Sequence, residues 1–310
     1  MKKVLFGILA IAAGLLICRS AAFAVTANPL QSAYWRFEEG PNGSPVTPGI
    51  EFVQDSINDN DMRASTPATA PTYTNTVAPF ALRSGAANNL SLDFATNTGG
   101  GGDDLFTAER QIDNGIITTG GGFTLEAAFK PDLVGGPFQA IVAKNGLPPA
   151  SGGLPTLVLK VRGDNGNLQV EQFDKAGAQK SVQSSSPLTA GEWYAAAAVN
   201  DGTNLSLYLR RQSDIDYVLQ GTIPVSGALY QGTADDWDMP WSIGRAIFGG
   251  SGDGNPADWF DGLIDEARLT NRALTPTEFL FAPVPEPASL AIVGLAFGGF
   301  AARFRGRRQK

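Results

Sequence analysis

Apolar and polar residues alternate with a period of two in short stretches along the chain, and no stretch of any length keeps the period of a helix. Leu90-Ser91-Leu92-Asp93-Phe94 alternates, and Phe123, Leu125, Ala127 and Phe129 fall on one side of the next such stretch. Leu157, Leu159 and Val161 share a face, Asp164-Asn165-Gly166-Asn167 supplies a turn, and residues 168–173 run back. Residues 193–199 lead into the turn Asp201-Gly202-Thr203-Asn204 and then Leu205, Leu207 and Leu209. With residues 34–37, 141–144, 217–223, 241–243 and 261–269, about ten or more antiparallel strands are expected, enough for two stacked sheets. Gly and Pro, 57 of the 310 residues, supply the turns. One helical start is written into Thr275-Pro276-Thr277-Glu278, a capping box with Pro at its first position, which Pro283 ends within a turn or two. Residues 39–122 are poor in strand pattern, with Gly99 to Gly102 in a row, and read as long surface loops laid over the sandwich.

Both ends differ from this body. Residues 1–24 read as an export leader: Lys2 and Lys3, an apolar run up to Cys18, then Ala22-Phe23-Ala24 as a cleavage site. Ile17 before Cys18 is not the small residue a lipid-acceptor Cys needs, so the lone Cys goes with the leader and disulfides cannot stabilise the exported chain. Residues 284–310 carry Pro285-Glu286-Pro287, an apolar run from Ala288 to Ala302, and Arg303, Arg305, Arg307, Arg308 and Lys310. About 15 apolar residues fall short of the ~20 that span a bilayer, and the basic cluster after them would stay on the cytoplasmic side. The order of Pro-Glu-Pro, apolar helix and Arg-rich tail resembles the PEP-CTERM sorting signal of Gram-negative bacteria. That resemblance implies export through the inner membrane to the surface, transient insertion of the tail, and an exosortase-type enzyme that reads and cleaves it.

The chain has no His, which excludes Ser-His-Asp and Cys-His relays and His-ligated metals. The formal charge of −7 averages unlike parts. Without the three basic residues of the leader and the five basic and one acidic residues of the tail, residues 25–283 keep 15 basic and 29 acidic side chains, a net near −14. So acidic a body argues against nucleic acid and favours divalent cations and neutral ligands.

Within the body, Ala33-Tyr34-Trp35-Arg36-Phe37-Glu38-Glu39-Gly40, Phe123-Thr-Leu-Glu-Ala-Ala-Phe-Lys-Pro131, Trp193-Tyr194, and above all Phe260-Asp-Gly-Leu-Ile-Asp-Glu-Ala-Arg268 with Asn271-Arg272-Ala273-Leu274-Thr275 are similar to the LamG-like jelly roll of the concanavalin A-like lectin/glucanase superfamily. The resemblance covers most of residues 32–282. It implies an all-β, two-sheet antiparallel jelly roll in residues 25–283, first and last strands together, with a signal helix before it and a membrane-type helix after it. It also implies glycan or protein ligands, often with calcium. The glucanases of the superfamily carry Glu-x-Asp-x-x-Glu on one strand; no segment here does, and Glu126 stands alone. The expectation is therefore a non-catalytic, surface or matrix protein that binds glycan or exopolysaccharide. A secreted glycoside hydrolase or lyase on the same fold, or a purely structural matrix protein, is the alternative. Trp237 and Trp259, flanked by Asp236, Asp238 and Asp258, suit a sugar platform. Asp103, Asp104 and Asp261 are candidate Ca²⁺ ligands to be assembled from separate loops, with no EF-hand spacing among them, and Glu38 and Asp265 are a further pair on strands expected to neighbour one another.

Overall fold

A computed structural model describes residues 32–48, 50, 52–97, 101–107, 122–145, 154–230, 240–248 and 255–282. Both terminal helices expected from the sequence lie outside them. Short strands come first: β1 (Ser32–Trp35), β2 (Met62–Arg63), β3 (Thr72–Thr74), β4 (Ser91–Phe94), β5 (Thr96–Asn97), β6 (Gly101–Gly102) and β7 (Leu105–Thr107). Longer ones follow: β8 (Phe123–Pro131), β9 (Gln139–Lys144), β10 (Leu157–Val161), β11 (Leu168–Phe173), β12 (Gln179–Gln183), β13 (Tyr194–Asn200), β14 (Asn204–Arg211) and β15 (Val218–Pro224). The order closes with β16 (Trp241–Ile243), β17 (Ala246–Phe248), β18 (Asn255–Ala257) and β19 (Gly262–Thr270). Residues 39–122, expected as loops, thus hold several strands; pieces of two or three residues are too short to show a period. The capping box at Thr275 forms as expected but caps one 3-10 turn, Pro276–Glu278.

The strands form two antiparallel sheets. One runs β15-β14-β13-β8-β19-β4-β3, with β1 also on β19; the other runs β12-β11-β10-β9-β16-β7-β2. First and last strands do pair, Trp35 opposite Ala267. Strand β8 follows one edge of β19, while the other edge is divided between β4 at Gly262 to Ile264 and β1 at Ala267 to Thr270. At the changeover the register with β8 slips between Asp265 and Arg268, and Glu266 takes a left-handed φ of 52°. Such a bulge re-aims side chains, and here Asp265 meets Ala78 and Asn88 while Glu266 meets Arg36.

Every second residue of the long strands faces the other sheet, as the alternation requires. Trp35, Phe94, Phe129, Leu159, Leu207 and Trp241 meet there in one core, each 1% exposed or less. Each such side chain contributes roughly 1.5–3 kcal/mol by leaving water. Strand β13 departs from alternation because both of its faces are buried. Its Ala196 and Ala198 point into the core, whereas Ala195 and Ala197 lie under Leu274, Phe279, Leu280 and Phe281 of the C-terminal strap, residues 273–282. Small side chains on β13 leave room for that strap.

Candidate functional site

The outer face of the seven-stranded sheet gathers polar side chains around a floor of small ones. Ala140, Ala143 and Val158 face outward and pack with Ala246. On one side, outward-facing Lys160 of β10 lies 3.5 Å from Glu171 of β11, both nearly buried. Next to them Arg162 donates to Gln169 Oε1 at 3.1 Å, and the Phe138 ring lies under both cations, 5.3 Å from Lys160 Nζ and 5.4 Å from the Arg162 guanidinium. On the other side Asp104 pairs with Arg245 and accepts the Ser65 hydroxyl at 2.8 Å, while Arg63 stacks on Phe106 at 5.1 Å.

Residues 258–260 lie across the floor. Ala140 N donates to Asp258 O at 2.7 Å and Phe260 N to Gly244 O at 2.8 Å, which fixes the segment over β9 and the end of β16. Asp258, left-handed at φ 55°, has its carboxyl pushed up by burial; Lys160 offsets this and Glu171 adds to it, so the three charges lie within electrostatic reach of one another. Trp259, half-buried, rests on Gly102, where a Cβ would fall 2.6 Å from the indole. Glycine at 102 therefore leaves the room that the Trp259 side chain occupies beside β6. A partly exposed indole beside Gly102 and next in the chain to Asp258 offers the kind of apolar surface that a sugar ring uses.

Of the sequence candidates, Trp259 stands in this site, and Trp237, Asp236 and Asp238 lie outside the described residues, as do Pro285, Glu286 and Pro287. Asp103 accepts Ala95 N at 3.0 Å and has its carboxyl raised by burial. Asp104, held by Arg245 and Ser65, does not fit a cation. Asp261 is half-buried and its carbonyl accepts Asp132 N at 2.8 Å. Among the described residues no three acidic or Cys side chains converge on one point. Glu38 and Asp265 do come together at the β19 bulge. Glu38 accepts Asn89 N at 2.7 Å and Asn89 Nδ2 at 3.1 Å, and Asp265 Oδ2 accepts Ala78 N and Asn88 Nδ2, each at 2.8 Å. Asp265 Oδ1 and Asn88 Oδ1 are buried without partners, and burial pushes the Asp265 carboxyl up to about 8. Glu266, paired with Arg36 at 3.0 Å, adds a further carboxylate. Two buried oxygens thus lack partners in an acidic surround that also holds Arg36.

Sequence reasoning missed Lys160, Glu171, Gln169, Arg63 and Phe106, which carry no motif; only the outward phase of their strands could have pointed to them. Glu126, solitary in the sequence, has a structural part: it is 1% exposed, accepts Arg268 Nε at 2.8 Å and Leu280 N at 2.7 Å, and so pins the strap.

The family model described as the concanavalin A-like lectin/glucanases superfamily matches residues 100–279. The chain belongs to that superfamily. The sandwich reaches further upstream than the match, since β1 to β5 complete both main sheets and the small β5–β6 pair. The PEP-CTERM protein-sorting motif matches residues 283–308 and marks the chain for export through the inner membrane to the surface of a Gram-negative cell. Among solved structures, domain 4 of AbnA, an extracellular GH43 arabinanase from Geobacillus stearothermophilus, in complex with arabinotriose, is 12% identical with a TM-score of 0.49 over 79% of this chain and 94% of that one. The Ruminococcus gnavus IT-sialidase CBM40 is 13% identical with a TM-score of 0.40 over 52% and 83%. A SAP-like pentraxin from Limulus polyphemus is 15% identical with a TM-score of 0.34 over 51% and 67%. No curated protein matches the chain in sequence. No helix among the described residues is long and apolar enough to cross a membrane.

Proposed function

We propose that this superfamily member is a non-catalytic, glycan-binding component of the cell surface or extracellular matrix, sorted by an exosortase-type enzyme. Exopolysaccharide is the ligand class. The observation that carries the reading is Trp259, partly exposed over Gly102 and next in the chain to Asp258, which feels the charges of Lys160 and Glu171. Glu126, which stands alone among the carboxylates of β8, is bonded to Arg268 and the strap rather than free for acid–base work, which supports binding over catalysis. A glycan array followed by calorimetry tests this. Trp259→Ala and Glu171→Gln should each weaken the best ligand at least about tenfold, the loss of one stacking or buried polar contact; Trp259→Ala should leave the melting temperature little changed, whereas Glu171→Gln should lower it, because it leaves Lys160 buried without its partner. Unchanged affinity in both variants, or turnover of a polysaccharide, would reject the reading in favour of a structural protein or an enzyme.

A second proposal rests on the orphaned oxygens of Asp265 and Asn88. Ca²⁺ at that point would be held by Asp265 Oδ1 and Asn88 Oδ1 with carbonyl or water oxygens, tying residues 76–90 to β19. Calcium should then raise the melting temperature and EDTA lower it, and Asp265→Asn should abolish the difference. Identical melting with and without the ion would end this proposal.

A further inference from the structure

The apolar corner at the end of β14 and β15 is exposed where an apolar surface is least expected. Ile215 is 77% exposed, Val218 52% and Leu219 51%. The corner is fixed to the last strap residues by one guanidinium: Arg210 Nε donates to Asp214 O at 3.2 Å, and Arg210 Nη1 donates to Phe281 O. Phe279 packs edge-on against Tyr217, ring centroids 4.9 Å apart, and against Tyr208 at 5.3 Å; Tyr208 is the cross-strand partner of Leu219. The described chain ends at Ala282, buried in this same packing. The apolar run of the sorting tail begins six residues later, at Ala288. Six extended residues span at most about 20 Å. Once that run is in a bilayer, the corner is held within a short tether of the lipid surface. At such a tether length, weak apolar contacts become effective because binding is intramolecular.

We propose that, while the sorting tail is inserted, Ile215, Val218 and Leu219 rest in the lipid interface and orient the domain on the membrane. The contact is shallow, since Asp216 stands exposed in the same turn. It rests on the reading of residues 288–302 as membrane-inserted and is independent of glycan binding.

The test uses the full chain with Cys18→Ser, which leaves no other Cys, and a single label site at Ile215→Cys or, at the opposite end of β14, at exposed Thr203→Cys. Each is labelled with an environment-sensitive fluorophore and reconstituted in phosphatidylcholine/phosphatidylglycerol vesicles containing a spin-labelled quencher lipid. Flotation with the vesicles that is lost on deleting residues 288–302 checks the tail, and its failure removes the premise and the proposal together. With flotation, quenching at 215 several-fold above that at 203 is expected, and Val218→Asp with Leu219→Asp should remove the excess. Equal quenching at the two sites, as expected if a protein partner rather than lipid covers the corner, overturns the proposal.

Discussion

At the scale of the residue, position decides what a carboxylate does. Asp265 and Glu266 are neighbours in a sequence motif, yet the bulge gives them different partners: Glu266 has a guanidinium and Asp265 has only N–H donors on one oxygen. Burial holds the Asp265 carboxyl near 8, against an ordinary 3.8. A folded-state value above the unfolded one means that the folded form holds the proton more tightly. The stability this lends is complete below about pH 4 and is lost as pH rises through about 8. Glu278 works the other way: the Arg272 guanidinium, 2.9 Å away, holds its carboxyl near 2, so its contribution is present above the ordinary range and is lost in acid. In calcium-free buffer, unfolding between pH 4 and 8 should show stability falling as pH rises, and Asp265→Asn should flatten that slope. A slope unaltered by the substitution would show that Asp265 does not titrate there.

At the scale of the element, the strap shows how a chain end is fastened without a disulfide. Phe279 is fully buried between Tyr208 and Tyr217, Leu280 N is bonded to Glu126, and Leu280 O accepts Arg83 N at 2.8 Å. Phe279→Ala should cost about 3–5 kcal/mol, the usual range for truncating a buried aromatic, measured by urea unfolding of the full chain. A loss under ~1 kcal/mol would mean the strap is not part of the cooperative unit. Strand β14 was legible in the sequence because one face meets the core and the other is partly exposed, and β8 because its outward face, although buried too, carries Thr124, Glu126, Ala128 and Lys130 between its large apolar residues. The fragments β2, β3 and β7 were not, since their pairing depends on neighbours distant in the chain rather than on local pattern.

At the scale of the whole molecule, stability comes from burial between two sheets and under the strap, with no covalent cross-link available to the body. A reductant should leave the melting temperature of the exported protein unchanged, because the single Cys lies in the leader. A drop on reduction would reveal an intermolecular disulfide and with it retention of Cys18. The acidic surface, near −14 over residues 25–283, keeps the body soluble and repels polyanions.

The sequence by itself determined the class of fold, the sorting tail and the absence of imidazole chemistry. Those follow from alternation, composition and contiguous motifs, which local chemistry writes into the chain. Tertiary structure alone decided that Lys160, Glu171 and Asp258 share one face, that Glu126 anchors a strap, and that Asp265 keeps an oxygen without a partner. Each depends on which strands lie side by side and where a bulge falls. Backbone pairing over hundreds of residues settles those relations, and no local pattern records them.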